Sequence, residues 1–236
     1  MAADVLTNTP TPLGTGNVHY VDSHAETEHH PITSGSGVAL LVTGGTISSV
    51  DKDGTGPKAA LGGGELLSGL APAERRLVSA VSQLDPLLNS WNIDLAAMIS
   101  IAAEAETALS DPRNRGLVVT HGTDTLEETA FFLDLVLDTD KPVIITGAMG
   151  AADSESADGV RNLSAAIRGA GDQSLSGHGV LVCFDGRFHR ARNIQKSHTN
   201  HPRAFDGSYP PVAQIDEEGR LVVKSPVVLR HKIKLR

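Results

Sequence analysis

The sequence predicts an α/β fold, an open and mostly parallel sheet flanked by helices. Two observations carry that expectation. Short apolar runs, VALLVT, LVVT and PVIIT, each end at glycine or in a Gly-containing turn. Helical stretches alternate with them: LEETAFFLDLVL follows LVVT, and DGVRNLSAAIRGA follows PVIIT. Strands alternating with helices make βαβ units, whose strands run parallel in one sheet.

Taken in order, residues 1–37 are rich in Thr, Gly, His and Pro and show no apolar periodicity, so a disordered tail is expected there. No Lys or Arg precedes Lys52 and no hydrophobic segment is visible, so neither a secretory signal nor a transit peptide is expected, and the location reads as cytoplasmic. His29 and His30 belong to this solvated tail. VALLVT, from Val38, is the first strand. IDLAAMISIAAEAETAL is helical, with Asn92 a candidate cap. LVVT is the next strand, and Thr125 and Glu128 fit the capping-box spacing at the start of the helix after it. GVLVCF adds another strand and contains the single cysteine, Cys183, read as a small buried hydrophobe and not as part of a disulfide framework. Shorter strand candidates lie near ARNI and RLVVK. One domain over 38–225 is expected, with 226–236 a basic tail, an edge strand or the start of a linker.

Composition narrows the function. A net charge of −8 counts against phosphate backbones as partners, and aromatics at 3% leave few platforms for stacking bases. No apolar run is long enough to span a bilayer. Neither nucleic acid nor a membrane is therefore an expected partner.

The strand ends hold the chemistry. VTGGT, VTHGT and ITGAM emerge on one edge of a parallel sheet, and ligands in open α/β sheets bind outside the carboxyl ends of the strands. The P-loop spacing and the Gly-x-Gly-x-x-Gly fingerprint are both absent, so phosphate binding is not the reading. Gly44 and Gly45 instead allow close backbone approach and put the Thr46 hydroxyl on an exposed turn. A hydroxyl is a poor nucleophile until a base or charge activates it. Thr123 and Asp124 supply a second hydroxyl and a carboxylate, and a lysine would complete a hydroxyl–amine–carboxylate relay.

VTGGTISS and VVTHGTDTLEETAFFLDL resemble the two signature segments of the bacterial-type L-asparaginase family, which includes glutaminase-asparaginases. KPVIITGAM with SADGVRNLSAAI, and GVLVCFDGRFHRARNIQKSHT, resemble the segments that follow in those enzymes. The likeness runs from Val38 to Val223 and implies the flavodoxin-like sheet of that family's N-terminal domain. It implies hydrolysis of L-asparagine, with L-glutamine left open, to the acid and ammonia without a cofactor or metal. Thr46 matches the nucleophile, Thr123 the second threonine, Lys196 its partner, and Asp124 the carboxylate that meets the substrate α-amino group. Ser90 matches the serine that holds the α-carboxylate. Trp91 stands where the family has a substrate-binding glutamine; it either lines the pocket or, with the register moved by one, belongs to the core. Amides near Thr123 and Ala148 would face the developing oxyanion. His121 is read as orienting its turn, and His198 and His201 as non-ligands. A homo-oligomer is implied as well.

Three departures accompany the likeness. The segment SSVDKDGTGPKAALGGGE, whose glycines suit a mobile lid, lacks the tyrosine that helps activate the threonine in many members. Trp91 is the second departure. The third is that the sequence ends at SPVVLRHKIKLR, about where the family's inter-domain linker would begin. Two readings follow: an amidohydrolase, or a remnant that binds an amino-acid-like ligand or a partner. The related amidotransferases that serve tRNA fit poorly with the acidic balance.

Overall fold

A computed structural model describes residues 37–50, 56, 58–199, 201–228 and 232–233. Of the tail expected over 1–37, residues 1–36 lie outside the described residues and Gly37 already belongs to the first strand; the centre of the expected lid, 51–55 and 57, also lies outside them. The apolar runs form the middle of a sheet because both its faces are covered. β1 (Gly37–Gly44) is followed by a short hairpin of β2 (Ser49–Val50) and β3 (Lys58–Ala59), then α1 (Gly63–Ser68) and α2 (Pro72–Arg75). β4 (Val78–Leu88), α3 (Leu95–Ser110), β5 (Asn114–Thr120), α4 (Leu126–Val136), β6 (Val143–Thr146), α5 (Gly159–Gly171) and β7 (Val180–Phe184) complete the wound part. β8 (Arg187–Arg190), β9 (Ile194–Lys196), β10 (Phe205–Gly207), β11 (Ala213–Ile215) and β12 (Leu221–Val223) follow.

The main sheet has the order β12-β11-β8-β7-β6-β5-β1-β4. From β4 to β7 every pairing is parallel; β8, β11 and β12 extend it antiparallel, while β9 and β10 pair apart from it. The parallel part has the flavodoxin-like order: the chain goes from β1 outward to β4, then crosses back to β5 on the other side of β1. That reversal is the switch point at which open α/β sheets leave a crevice. One face is covered by α3 and α4 over Leu41, Leu117, Val119 and Ile145; the other carries α5 and α1 over Leu40, Val118 and Ile144. Burial on both faces explains why these strands read as unbroken apolar runs instead of alternating ones.

β4 has no counterpart in the strand–helix alternation visible in the sequence. Its buried positions are Val78, Val81 and Leu84, three apart, and it contains Asp85 and Pro86. A register shift against β1 between Val78 and Ala80 puts Val78 and Val81 on one face, Leu84 packs on the other, and an edge strand tolerates a proline that a central one would not. RLVVK contributes β12, whereas ARNI is mostly a 3-10 turn (Ala191–Asn193) that leads into β9. Cys183 is a buried free thiol, and burial pushes its pKa up. Among residues 226–236 the described ones form no strand. Arg190 donates to Pro226 O at 2.6 Å, and Lys232 Nζ donates to the carbonyls of Asp134 and Leu137 at the C-terminal end of α4. A lysine there satisfies carbonyls that the helix leaves open. Among the described residues no helix is long and apolar enough to cross a membrane.

Candidate active site

Two glycine loops meet at the switch point. Gly44 and Gly45 hold positive φ, +116° and +80°, which ordinary L-residues rarely adopt. A Cβ on Gly45 would stand 2.3 Å from Gly122 Cα, and one on Gly122 would stand 2.7 Å from Ser90 Cβ. The ends of β1, β5 and β4 are thus in backbone contact, and Thr46 and Thr123 each follow one of the touching glycines. Thr46 opens a 3-10 turn, Thr46–Ser48, and is half-buried. Among the described residues no hydrogen bond fixes its hydroxyl. Below the loops, the Thr43 hydroxyl donates to Thr120 O at 2.7 Å and the Thr146 hydroxyl to Cys183 O at 2.7 Å, lacing adjacent strand ends together.

The HGTDT turn is tethered from three sides. Lys196, arriving on β9, donates from Nζ to Thr123 Oγ1 at 2.8 Å and to Asp124 Oδ1 at 2.7 Å. Ser90 Oγ donates to Asp124 Oδ2 at 3.1 Å and accepts the Asp124 N–H at 3.3 Å. Thr125 donates its hydroxyl to Ser90 O at 2.8 Å. The Lys196 bond holds the Asp124 carboxyl below its ordinary range against the opposing effect of burial, with smaller help from the Lys196 charge and the Ser90 bond. The Asp124 side chain is still 52% exposed against 18% for Lys196, so the carboxylate retains a free side toward solvent. His121 is fully buried; desolvation lowers its pKa to about 4 while its bond to Gly122 O opposes the shift. Its Nδ1 therefore carries the proton and donates to that carbonyl at 2.7 Å, which fixes the turn.

The ITGAM loop closes the third side. Asp158, just before α5, accepts the Met149 and Gly150 amides on one oxygen, at 2.9 and 3.1 Å. Asn162 donates to Gly147 O and to the other Asp158 oxygen, both at 3.0 Å, and accepts the Asp185 N–H. A Cβ on Gly147 would stand 2.4 Å from His121 O and 3.5 Å from Thr123 Cγ2, so this loop lies against the HGTDT turn. Among the described residues the Thr123 and Ala148 amides donate no hydrogen bond. Ala148 is fully buried.

Thr46, Ser90, Thr123, Asp124, Ala148 and Lys196 thus lie in one region. Two local readings need correction. Thr125 stands at the N-cap of α4 but makes no side-chain cap bond, because its hydroxyl is taken by Ser90 O. Asn92 is not the cap of α3; Asp94 is, accepting the Ala97 N–H at 2.9 Å. Trp91, next to Ser90 in a 3-10 turn, is 69% exposed, which excludes the core alternative. His198 and His201 have ring centroids 5.7 Å apart on an exposed loop, and among the described residues no group of three or more acidic, His or Cys side chains is arranged to hold a metal. Asp158 and Asn162 went unassigned in the sequence; the signal was an acidic residue and an amide four apart at a helix start, SADGVRN, beside a glycine loop.

With this geometry in place, comparison with known proteins is informative. The family described as "Asparaginase, N-terminal" matches residues 37–228. L-asparaginase 2 of Bacillus subtilis is 37% identical over 171 residues, 71% of this chain and 46% of the relative. Glutaminase-asparaginase of Acinetobacter glutaminasificans is 32% identical over 207 residues, 84% and 59% respectively. The crystal structure of a probable cytoplasmic L-asparaginase from Campylobacter jejuni superposes with a TM-score of 0.76 at 30% identity, covering 84% of this chain and 61% of that one. The chain thus spans about half the length of these curated relatives. A match that covers most of the described residues, over the same strand ends that gather the hydroxyls, amine and carboxylate, shows that the chain belongs to the asparaginase family through its N-terminal domain.

Proposed function

We propose that this domain hydrolyses the side-chain amide of L-asparagine to L-aspartate and ammonia through a threonine nucleophile. The observation that carries the reading is the Lys196 amine, bonded at once to Thr123 Oγ1 and Asp124 Oδ1 beside the loop that presents Thr46. Thr46 Oγ attacks the amide carbon, and its proton is relayed through the Thr123 hydroxyl, which Lys196 Nζ backs, to the amide nitrogen as the C–N bond breaks. The oxyanion faces the amides of Thr123 and Ala148, an arrangement commonly worth roughly 3–4 kcal/mol. Nitrogen departs as ammonia and leaves an acyl ester on Thr46. Water then attacks the ester, returning the Thr46 hydroxyl and releasing aspartate.

Asp124, ionised and half-exposed, takes the substrate α-ammonium; Ser90 takes the α-carboxylate. Trp91 on the rim lines the mouth of the site. The intact Lys196–Thr123–Asp124 cluster counts against a remnant that only binds. L-glutamine is the second substrate to try, because one methylene changes discrimination by only about 1–3 kcal/mol and a relative is named glutaminase-asparaginase. A homo-oligomer and a cytoplasmic location belong to the same reading; relatives are named as cytoplasmic in C. jejuni and periplasmic in Haemophilus influenzae. Ammonia release from both amino acids, compared with a Thr46→Ala control, tests the activity. Release that is equal in the control and the parent chain would reject it.

A further inference from the structure

Lys196 comes to the site on β9, three residues long and paired only with β10 among the described strands. Across that pair it is the next residue, Ser197, whose N–H reaches Ala204 O, so the Lys196 amide lies on the open edge. There it donates to Glu127 Oε2. Glu127 is the second residue of α4, the helix that begins directly after the Thr123-Asp124 turn. One helix thus presents the hydroxyl and carboxylate at its start and, within its first turn, grips the backbone of the residue whose amine must meet them. A second tie holds the root of β9. Asp134, further along α4, accepts Arg192 Nε at 2.7 Å and the Val180 N–H at 3.0 Å, and Arg192 lies in the turn just before β9, 5.7 Å from the Phe131 ring centroid.

We infer that Glu127 is a positioning residue for Lys196: its carboxylate sets where β9 places the amine relative to Thr123 and Asp124. The inference rests on the role given to Lys196 in the proposed function. A simpler role is available to any acidic residue in a first helical turn, which the helix dipole favours wherever it points. Two conservative substitutions separate the roles. Aspartate keeps the charge for the dipole but is one methylene too short to reach the Lys196 amide. Glutamine keeps the reach and the acceptor but loses the charge. Positioning predicts that Glu127→Gln is tolerated and Glu127→Asp is not; a dipole role predicts the reverse.

The test is competitive acetylation of the purified chain, read at Lys196 by mass spectrometry relative to its other lysines, in the parent chain, Glu127→Gln, Glu127→Asp and Glu127→Ala, with ammonia release measured in parallel. Loss of one bond to a charged group predicts Lys196 acetylated about tenfold faster in Glu127→Asp, with kcat lower by about the same factor and KM little changed. Glu127→Gln stays within about twofold of the parent in both. Should Glu127→Ala fail to fold, the Asp and Gln pair carries the comparison alone. Parent-like acetylation in Glu127→Asp, or a larger change in Glu127→Gln than in Glu127→Asp, overturns the inference. Absence of ammonia release from the parent chain overturns the proposed function instead, and leaves the acetylation ranking to decide Glu127.

Discussion

The two threonine loops are built alike and held differently. Each follows a buried parallel strand, each turns on glycine, and the glycines touch at Gly45 and Gly122. Thr123 is then clamped: its hydroxyl meets Lys196, and its neighbours Asp124 and Thr125 are tied to Ser90. Among the described residues Thr46 is held only through backbone: its carbonyl accepts the Ser49 N–H, and the preceding Gly45 O takes the Ser48 N–H and, at 2.9 Å, the Ser49 hydroxyl. A clamped hydroxyl next to an amine suits a proton relay, whose geometry must persist between turnovers. A hydroxyl with no partner among the described residues suits a nucleophile, which must be free to turn toward a carbon. The difference fits the roles proposed above for the two threonines.

Removing the amine unclamps Thr123. Lys196→Met is expected to lower kcat by about 10³-fold, within the range for loss of a positioned acid–base group, while circular dichroism stays that of the parent. A retained kcat would mean that the clamp has no part in turnover. Gly45→Ala attacks the contact between the loops. The positive φ and the 2.3 Å approach to Gly122 together predict a loss of roughly 3–4 kcal/mol, read by urea unfolding. Unchanged stability there would show that the loops do not depend on each other.

The third prediction uses pH. His121 has a folded pKa of about 4 against an ordinary value of 6.5, so the unfolded chain takes up that proton first as pH falls. Its contribution is fully present above about pH 6.5 and is lost as pH falls toward about 4, close to 3 kcal/mol in all. The lowered pKa of His189 adds to the slope in the same direction. Replacing His121 with Asn should flatten the stability profile over that window; a parallel profile would contradict the buried, neutral imidazole. The smallest effect is expected from Ser90→Ala, which removes one support of Asp124 and should raise KM about tenfold with kcat little changed, about 1.4 kcal/mol.

Much of the site was legible because its residues sit at strand ends, where apolar runs stop abruptly at glycine. Thr46, Thr123 and Asp124 stand out there on residue type alone. Lys196 does not: nothing local marks it, and only a turn, a three-residue strand and Glu127 bring it to Asp124, so its assignment came through family likeness. The edge strand β4 escaped because a register shift between Val78 and Val81, and the burial of Leu84 on the opposite face, leave no alternating apolar period. With β4 unread, the tie from Thr125 to Ser90 O was invisible, and a capping role was the local default. Asp158 and Asn162 bond to backbone groups of the ITGAM loop, partners that residue type does not reveal, so their spacing in SADGVRN was the only trace.

The unclamped Thr46, not the clamped Thr123, is expected to carry the acyl group. Acid-quenching the chain during turnover of L-asparagine and mapping the acylated peptide by mass spectrometry decides between them. The expected result is an aspartyl ester on the peptide that contains Thr46, absent in Thr46→Ala. An ester on Thr123, or an ester that survives Thr46→Ala, would contradict it.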